Sequence, residues 1–149
     1  MAIARGAGTE IIRNVGFNVV DDAWQTLIFG VQHHIYTVLS IIIYAVAPDT
    51  NGNYIRCRLE GYDALSGTTN FSLYLFQQDM QQYETYVWND KFSFNGAEPA
   101  NFTGPMDDAT KQDAIADQES GVAQYLFCNS TNAADSYRVV ITFIDQNNA

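Results

Sequence analysis

The sequence predicts an all-β fold, a β-sandwich of jelly-roll type with about eight strands and one short surface helix. Three observations predict it. Runs rich in Ile, Val, Tyr and Phe recur along the chain, and the cleanest alternates with period two. Clusters of Gly, Pro, Asn and Asp punctuate them at short intervals. One segment alone, Asp107 to Glu119, has helical composition, with Asp107 placed to cap it and a thin apolar face of Ala109, Ile115 and Ala116.

The elements follow in order. Thr9 to Val20 reads as a first strand, interrupted by Gly16 as at a bulge. Asp21-Asp22 makes a turn and Trp24 to Gly30 a second strand. Ile35 to Val46 is a near-continuous apolar run, which suits a central strand covered on both faces. Ala47 to Asn53 is dense in turn residues, and Asn51-Gly52 is a hairpin dipeptide. Tyr54 to Tyr62 alternates: Ile55, Cys57 and Leu59 face the core, while Tyr54, Arg56, Arg58 and Glu60 face away. Phe71 to Gln77 and Tyr83 to Phe94 are further strands, the latter bent at Asn89-Asp90. Val122 to Cys128 and Ser136 to Asp145 complete the set. The organisation expected is an arm over 1–10, one domain over 11–145 and a tail over 146–149.

Composition bounds the function. The chain has 149 residues, 47% of them hydrophobic, with 9 Phe, 9 Tyr and 2 Trp. A core can therefore form without covalent staples. Seven Lys and Arg against 17 Asp and Glu give a net charge of -10. No nucleic-acid partner and no anionic membrane surface is expected, since both need clustered basic residues. The longest apolar stretch, from Ile35 to Ala47, is too short for a membrane helix, and Met1 to Gly8 has no secretory apolar run. Cys57 and Cys128 read as two buried thiols, with a disulfide across the sandwich as the alternative.

Sites of chemistry are sparse. His33 and His34 are adjacent, so on a strand they point to opposite faces and cannot share a metal. Asp49 to Glu60 has the start of a calcium loop, but Tyr54 stands where the sharp turn needs Gly, and a plain hairpin fits better. Asp21-Asp22 and Asp107-Asp108 are paired carboxylates that a turn and a cap explain. No nucleophile motif accompanies the histidines, so neither catalytic residues nor a cofactor is assigned. A hydrolase would still need a buried acid beside His33 or His34. The aromatics Tyr54, Tyr62, Tyr74, Tyr83, Tyr86 and Trp88 alternate with core positions or border loops. They suit a second apolar layer, a subunit interface or a glycan groove.

Four segments carry a resemblance. They are Met1-Ala-Ile-Ala-Arg5-Gly-Ala-Gly8-Thr-Glu-Ile-Ile12, Gly30-Val-Gln-His33-His34-Ile-Tyr-Thr-Val38, Asn89-Asp-Lys-Phe-Ser-Phe94 and Val140-Ile-Thr-Phe-Ile-Asp145-Gln-Asn-Asn148. Together they resemble small virion structural proteins of marine tailed bacteriophages. That resemblance implies a non-enzymatic capsid decoration or cement protein, located in the virion and bound to the major capsid protein. A homo-oligomer is expected, a trimer at a local three-fold. The interface residues expected are Arg5, Glu10, Tyr54, Arg56, Arg58, Tyr86 and Trp88. The other reading is a carbohydrate-binding module on a tail or tail fibre. Its mark would be an outward aromatic platform beside Asn or Asp.

Overall fold

The computed structural model describes residues 9–31, 34–48, 53–61, 71–96 and 124–147. Among these residues nine strands form, in chain order: β1 (Thr9–Val19), β2 (Gln25–Phe29), β3 (His34–Ala47), β4 (Ile55–Gly61), β5 (Phe71–Gln78), β6 (Thr85–Trp88), β7 (Phe92–Asn95), β8 (Tyr125–Ser130) and β9 (Ser136–Asn147). They make two sheets. The first has the order β1-β9-β3-β6, with β7 also pairing β3 beside β6; the second has the order β2-β8-β4-β5. Every pairing is antiparallel. The chain therefore passes back and forth between sheets, and neighbours in space are mostly distant in sequence.

One shared core holds the sheets together. Val38, Ile41 and Ile43 of β3 and Val139 and Ile141 of β9 meet Ile55 and Cys57 of β4 and Leu126 and Cys128 of β8. All of these are fully buried. Burying one aliphatic side chain contributes about 1.5–3 kcal/mol, whereas an exposed ion pair contributes about 0–1 kcal/mol. The core, not the sparse charges, therefore carries the stability. Phe76 of β5 fills the space between sheets by packing on Tyr86 and Trp88 of β6, with ring centroids 5.2 and 5.7 Å apart.

Several expectations change. The strand read over Tyr83 to Phe94 is two strands, β6 and β7, broken where Asn89-Asp90 predicted a bend. Gly16 is no bulge: it pairs with Val140 in an unbroken register. β3 is covered on one face only, because Thr37, Ile42 and Tyr44 turn outward, with Ile42 38% and Tyr44 36% exposed. β3 and β4 lie in different sheets, so the connection between them is a crossover instead of the expected hairpin. Thr9 and Glu10 pair with Asn147 and Gln146, so the first sheet takes in the end of the expected arm and the start of the expected tail. The helix expected over 107–119 lies outside the described residues, which contain none.

The ends of β2, β4 and β7 converge on the entry to β8. Gly30 N–H donates to the Gln124 carbonyl at 2.8 Å, Gln124 N–H donates to the Gly96 carbonyl at 2.8 Å, and Gly96 N–H donates to the His34 carbonyl at 2.8 Å. A Cβ on Gly96 would stand 1.9 Å from the Val31 carbonyl oxygen, and one on Gly30 would stand 2.5 Å from that of Gln124. The backbones approach this closely because glycine presents no Cβ.

Candidate interaction surfaces

The period-two pattern of β4 places Arg56 and Arg58 on the outward face of the second sheet. Trp24, just before β2, lies across them. The Arg58 guanidinium carbon is 4.2 Å from the Trp24 ring centroid and 5.7 Å from that of Phe127. The Arg56 guanidinium carbon is 4.9 Å from Trp24 and 5.2 Å from Tyr74. Register explains the grouping, since Tyr74, Arg58, Phe127 and Thr26 are consecutive cross-strand partners. Arg58 also pairs with Glu60 at 2.6 Å. Arg56 Nε donates to Asn129 Oδ1 at 2.8 Å, and Asn129 Nδ2 donates to the Asp22 carbonyl at 3.0 Å. The Arg58 Nε is buried with no hydrogen-bond partner among the described residues. Ring faces take its charge instead.

The aromatic row continues along the same face. Tyr125 stacks on Phe127 at 5.2 Å, and Phe29 meets Tyr125 edge-on at 5.0 Å. Phe29 is 59% exposed and Tyr74 41%. This row supplies the aromatic part of the mark named above for a glycan-binding face, whereas Asn129 beside it is buried and bonded to Arg56 and Asp22.

The residues expected at an interface separate. Arg56 and Arg58 share the platform. Tyr54 is half-buried beside it, its N–H donating to Thr131 Oγ1 at 2.9 Å. Glu10 is exposed on the outward face of the other sheet, opposite Gln146. Tyr86 and Trp88 do not belong to an outward surface. They point into the inter-sheet space onto Phe76, and it is Val87 between them that faces out, at 50% exposure. Arg5 lies outside the described residues.

A buried acid does stand beside one histidine. Asp145 of β9 is 7% exposed. His34 Nδ1 donates to its Oδ1 at 2.6 Å, and Arg13 Nε donates to its Oδ2 at 3.2 Å. The cluster ties β1, β9 and β3 together at one end of the first sheet. An oriented imidazole is two-thirds of a hydrolytic triad, yet among the described residues no hydroxyl or thiol bonds to it. Tyr36 lies close by and accepts the Val31 N–H at 3.1 Å. Burial first, and the nearby Asp145 charge as well, push its hydroxyl above the ordinary tyrosine range.

Two further groups are buried in the fold. Cys57 and Cys128 are direct partners on the adjacent strands β4 and β8, not across the sandwich, and both thiols are free. Burial pushes Cys128 up to about 12. Burial, with Cys128 adding to it, raises Cys57 well above the usual thiol value. Asp135, 1% exposed, accepts from Ser130 Oγ at 2.8 Å and Tyr137 OH at 3.4 Å, clasping the β8–β9 turn. Nothing local in the sequence signals either His34–Asp145 or Asp135–Tyr137. Among the described residues no group of three or more His, Cys, Asp or Glu is arranged to hold a metal.

No family model matches the chain, and no curated protein does. Among solved structures, the chain is similar to one described as "Bacillus endospore appendages form a novel family of disulfide-linked pili", at 12% identity. The match covers 99% of this chain and 96% of that one, with a TM-score of 0.37. A likeness that distant carries no argument about function.

Proposed function

We propose that this chain is a non-enzymatic bacteriophage virion structural protein, a jelly roll that decorates and stabilises the capsid exterior. The strand orders support the jelly-roll reading. β1-β9-β3-β6/β7 with β2-β8-β4-β5 is consistent with the order that two interlocked Greek keys would give, an architecture of viral capsid and lectin domains. Fold analogy alone does not give function. The observation that carries the proposal is the outward Arg56–Trp24–Arg58 platform. In a chain of net charge -10 it places two guanidiniums and an aromatic row on one face. Arg, Trp and Tyr are the residues that dominate protein interfaces. The major capsid protein is the proposed partner, and the virion the location. Binding only the assembled shell would stabilise it by mass action.

Copy number per particle tests this. Quantitative mass spectrometry of purified virions should find the chain in an amount comparable to the major shell protein. Trp24→Ala should lower its retention on shells. A trace amount would move it to the tail, and absence would end the virion reading. A second reading, a tail-associated carbohydrate-binding module, is favoured by the Phe29–Tyr125–Phe127–Trp24 row, of which Phe29 is the most exposed. Silence on a glycan array together with tight shell binding would reject it.

A further inference from the structure

The outward face of the first sheet is a different kind of surface. Ile12, Ile42, Val87, Val140 and Ile144 share it by register. Ile12 is 70% exposed, Val87 50% and Ile42 38%. A solvated sheet face in so acidic a protein should carry acids. Here Glu10 and Arg138 are the only charged residues that the strand register of the described residues turns outward. Neither forms an ion pair among the described residues. They sit at opposite ends of the face, Glu10 opposite Gln146 and Arg138 opposite Asn18 and Tyr44.

One end also holds a strained aromatic. Among the described residues Tyr83 is the single non-glycine residue of positive φ, at 67°, and it is 68% exposed. Its ring stacks on Tyr44 at 6.5 Å, beside Arg138. A left-handed aromatic at a turn tip does nothing for the core. Such strain persists where the side chain's position matters.

We infer that this face docks a second copy of the chain across a two-fold axis, sheet against sheet. The charge pattern selects that occupant. A two-fold axis lying between the sheets and crossing the strands near Thr142 reverses strand direction. It brings each Arg138 to the Glu10 end of its partner. One acid and one base at opposite ends are self-complementary under that operation. Four strands at their usual spacing and length make a face of about 20 by 30 Å. Two copies would bury about 1,200 Å² in total, the lower bound of a standard stable interface. The dimer is separate from the shell-binding platform on the other sheet and needs no particle.

Sedimentation velocity of the full chain at about 1–100 μM tests it, over a range where such interfaces are populated. The expected result is a concentration-dependent dimer. Val87→Asp should weaken it by roughly 30-fold, as replacing an apolar contact with a buried charge does. Arg138→Glu should weaken it by roughly 5–10-fold, and Glu10→Arg with Arg138→Glu should restore it. Circular dichroism checks that each variant folds, and the charge swap is informative even if Val87→Asp does not. A monomer throughout the range would overturn the inference. So would a trimer, or a dimer indifferent to both changes, whatever the virion experiment shows.

Discussion

Gly96→Ala is the sharpest test of how the strand ends are joined. The added methyl would lie 1.9 Å from the Val31 carbonyl oxygen, 2.5 Å from its nitrogen and 2.7 Å from its carbonyl carbon. Real Cβ contacts stay beyond 3.0 Å, so one backbone must retreat by about 1 Å, and a hydrogen bond does not survive that displacement. The groups at risk are Gly96 N–H to the His34 carbonyl and Gln124 N–H to the Gly96 carbonyl, both at 2.8 Å. Gly96 is itself buried. A buried group left unpaired costs about 1–3 kcal/mol. The substitution should therefore cost about 3 kcal/mol, a drop of about 1.5 M in urea midpoint at an m-value of about 2 kcal/mol/M. Gly16→Ala is the internal control. Its methyl would find only Val140 Cγ2 at 3.9 Å and the Val139 carbonyl oxygen at 4.0 Å. It should be neutral or stabilise by up to about 1 kcal/mol, by restricting the unfolded chain. Equal urea midpoints for the two variants would refute the reasoning.

Asp145→Asn should cost about 2 kcal/mol, since its His34 bond is charge-assisted and mostly buried. Arg13→Ala should cost under about 1 kcal/mol, because that side chain is 48% exposed and screened. Equal costs in urea melts would contradict this ranking. Stability should fall above about pH 9. The unfolded Cys57 and Cys128 thiols ionise there while the folded ones, raised by burial, stay protonated. The contribution is full below the ordinary thiol value and declines tenfold in equilibrium constant per pH unit per thiol, until the folded Cys128 titrates near 12. Tyr137, also raised mainly by burial, adds to the loss above about pH 10. Cys57→Ala with Cys128→Ala should flatten the 9–12 limb in a pH series of urea melts, and an unchanged limb would count against it. Trp24→Ala should cost about 2 kcal/mol, as two guanidiniums lose one ring face; a loss under about 0.5 kcal/mol would mean the platform is not organised by Trp24.

The sequence spoke most clearly where a strand has one wet face. β4 alternates Arg and Glu with Ile, Cys and Leu, and the structure keeps that division residue by residue. It misled where the wet face is itself aliphatic. β3 reads as doubly covered because Ile42 carries no polar mark, although it is more than a third exposed. Parity alone left β6 undecided. Tyr86, Val87 and Trp88 must alternate, but which side meets the core is fixed by Phe76, from another sheet. The His34–Asp145 clamp spans a separation of 111 residues. Its partners meet only because β9 lies between β1 and β3, and no local pattern encodes that.

The hydrogen bond from the Gln124 N–H to the Gly96 carbonyl fastens the end of β7 to the entry of β8. Closure entropy grows only with the logarithm of chain length, so doubling the chain between two ends joined in this way costs only about 0.6 kcal/mol. The joined ends are therefore a natural port for insertion. A foreign peptide added between Gly96 and Gln124 should leave the strands on either side in register.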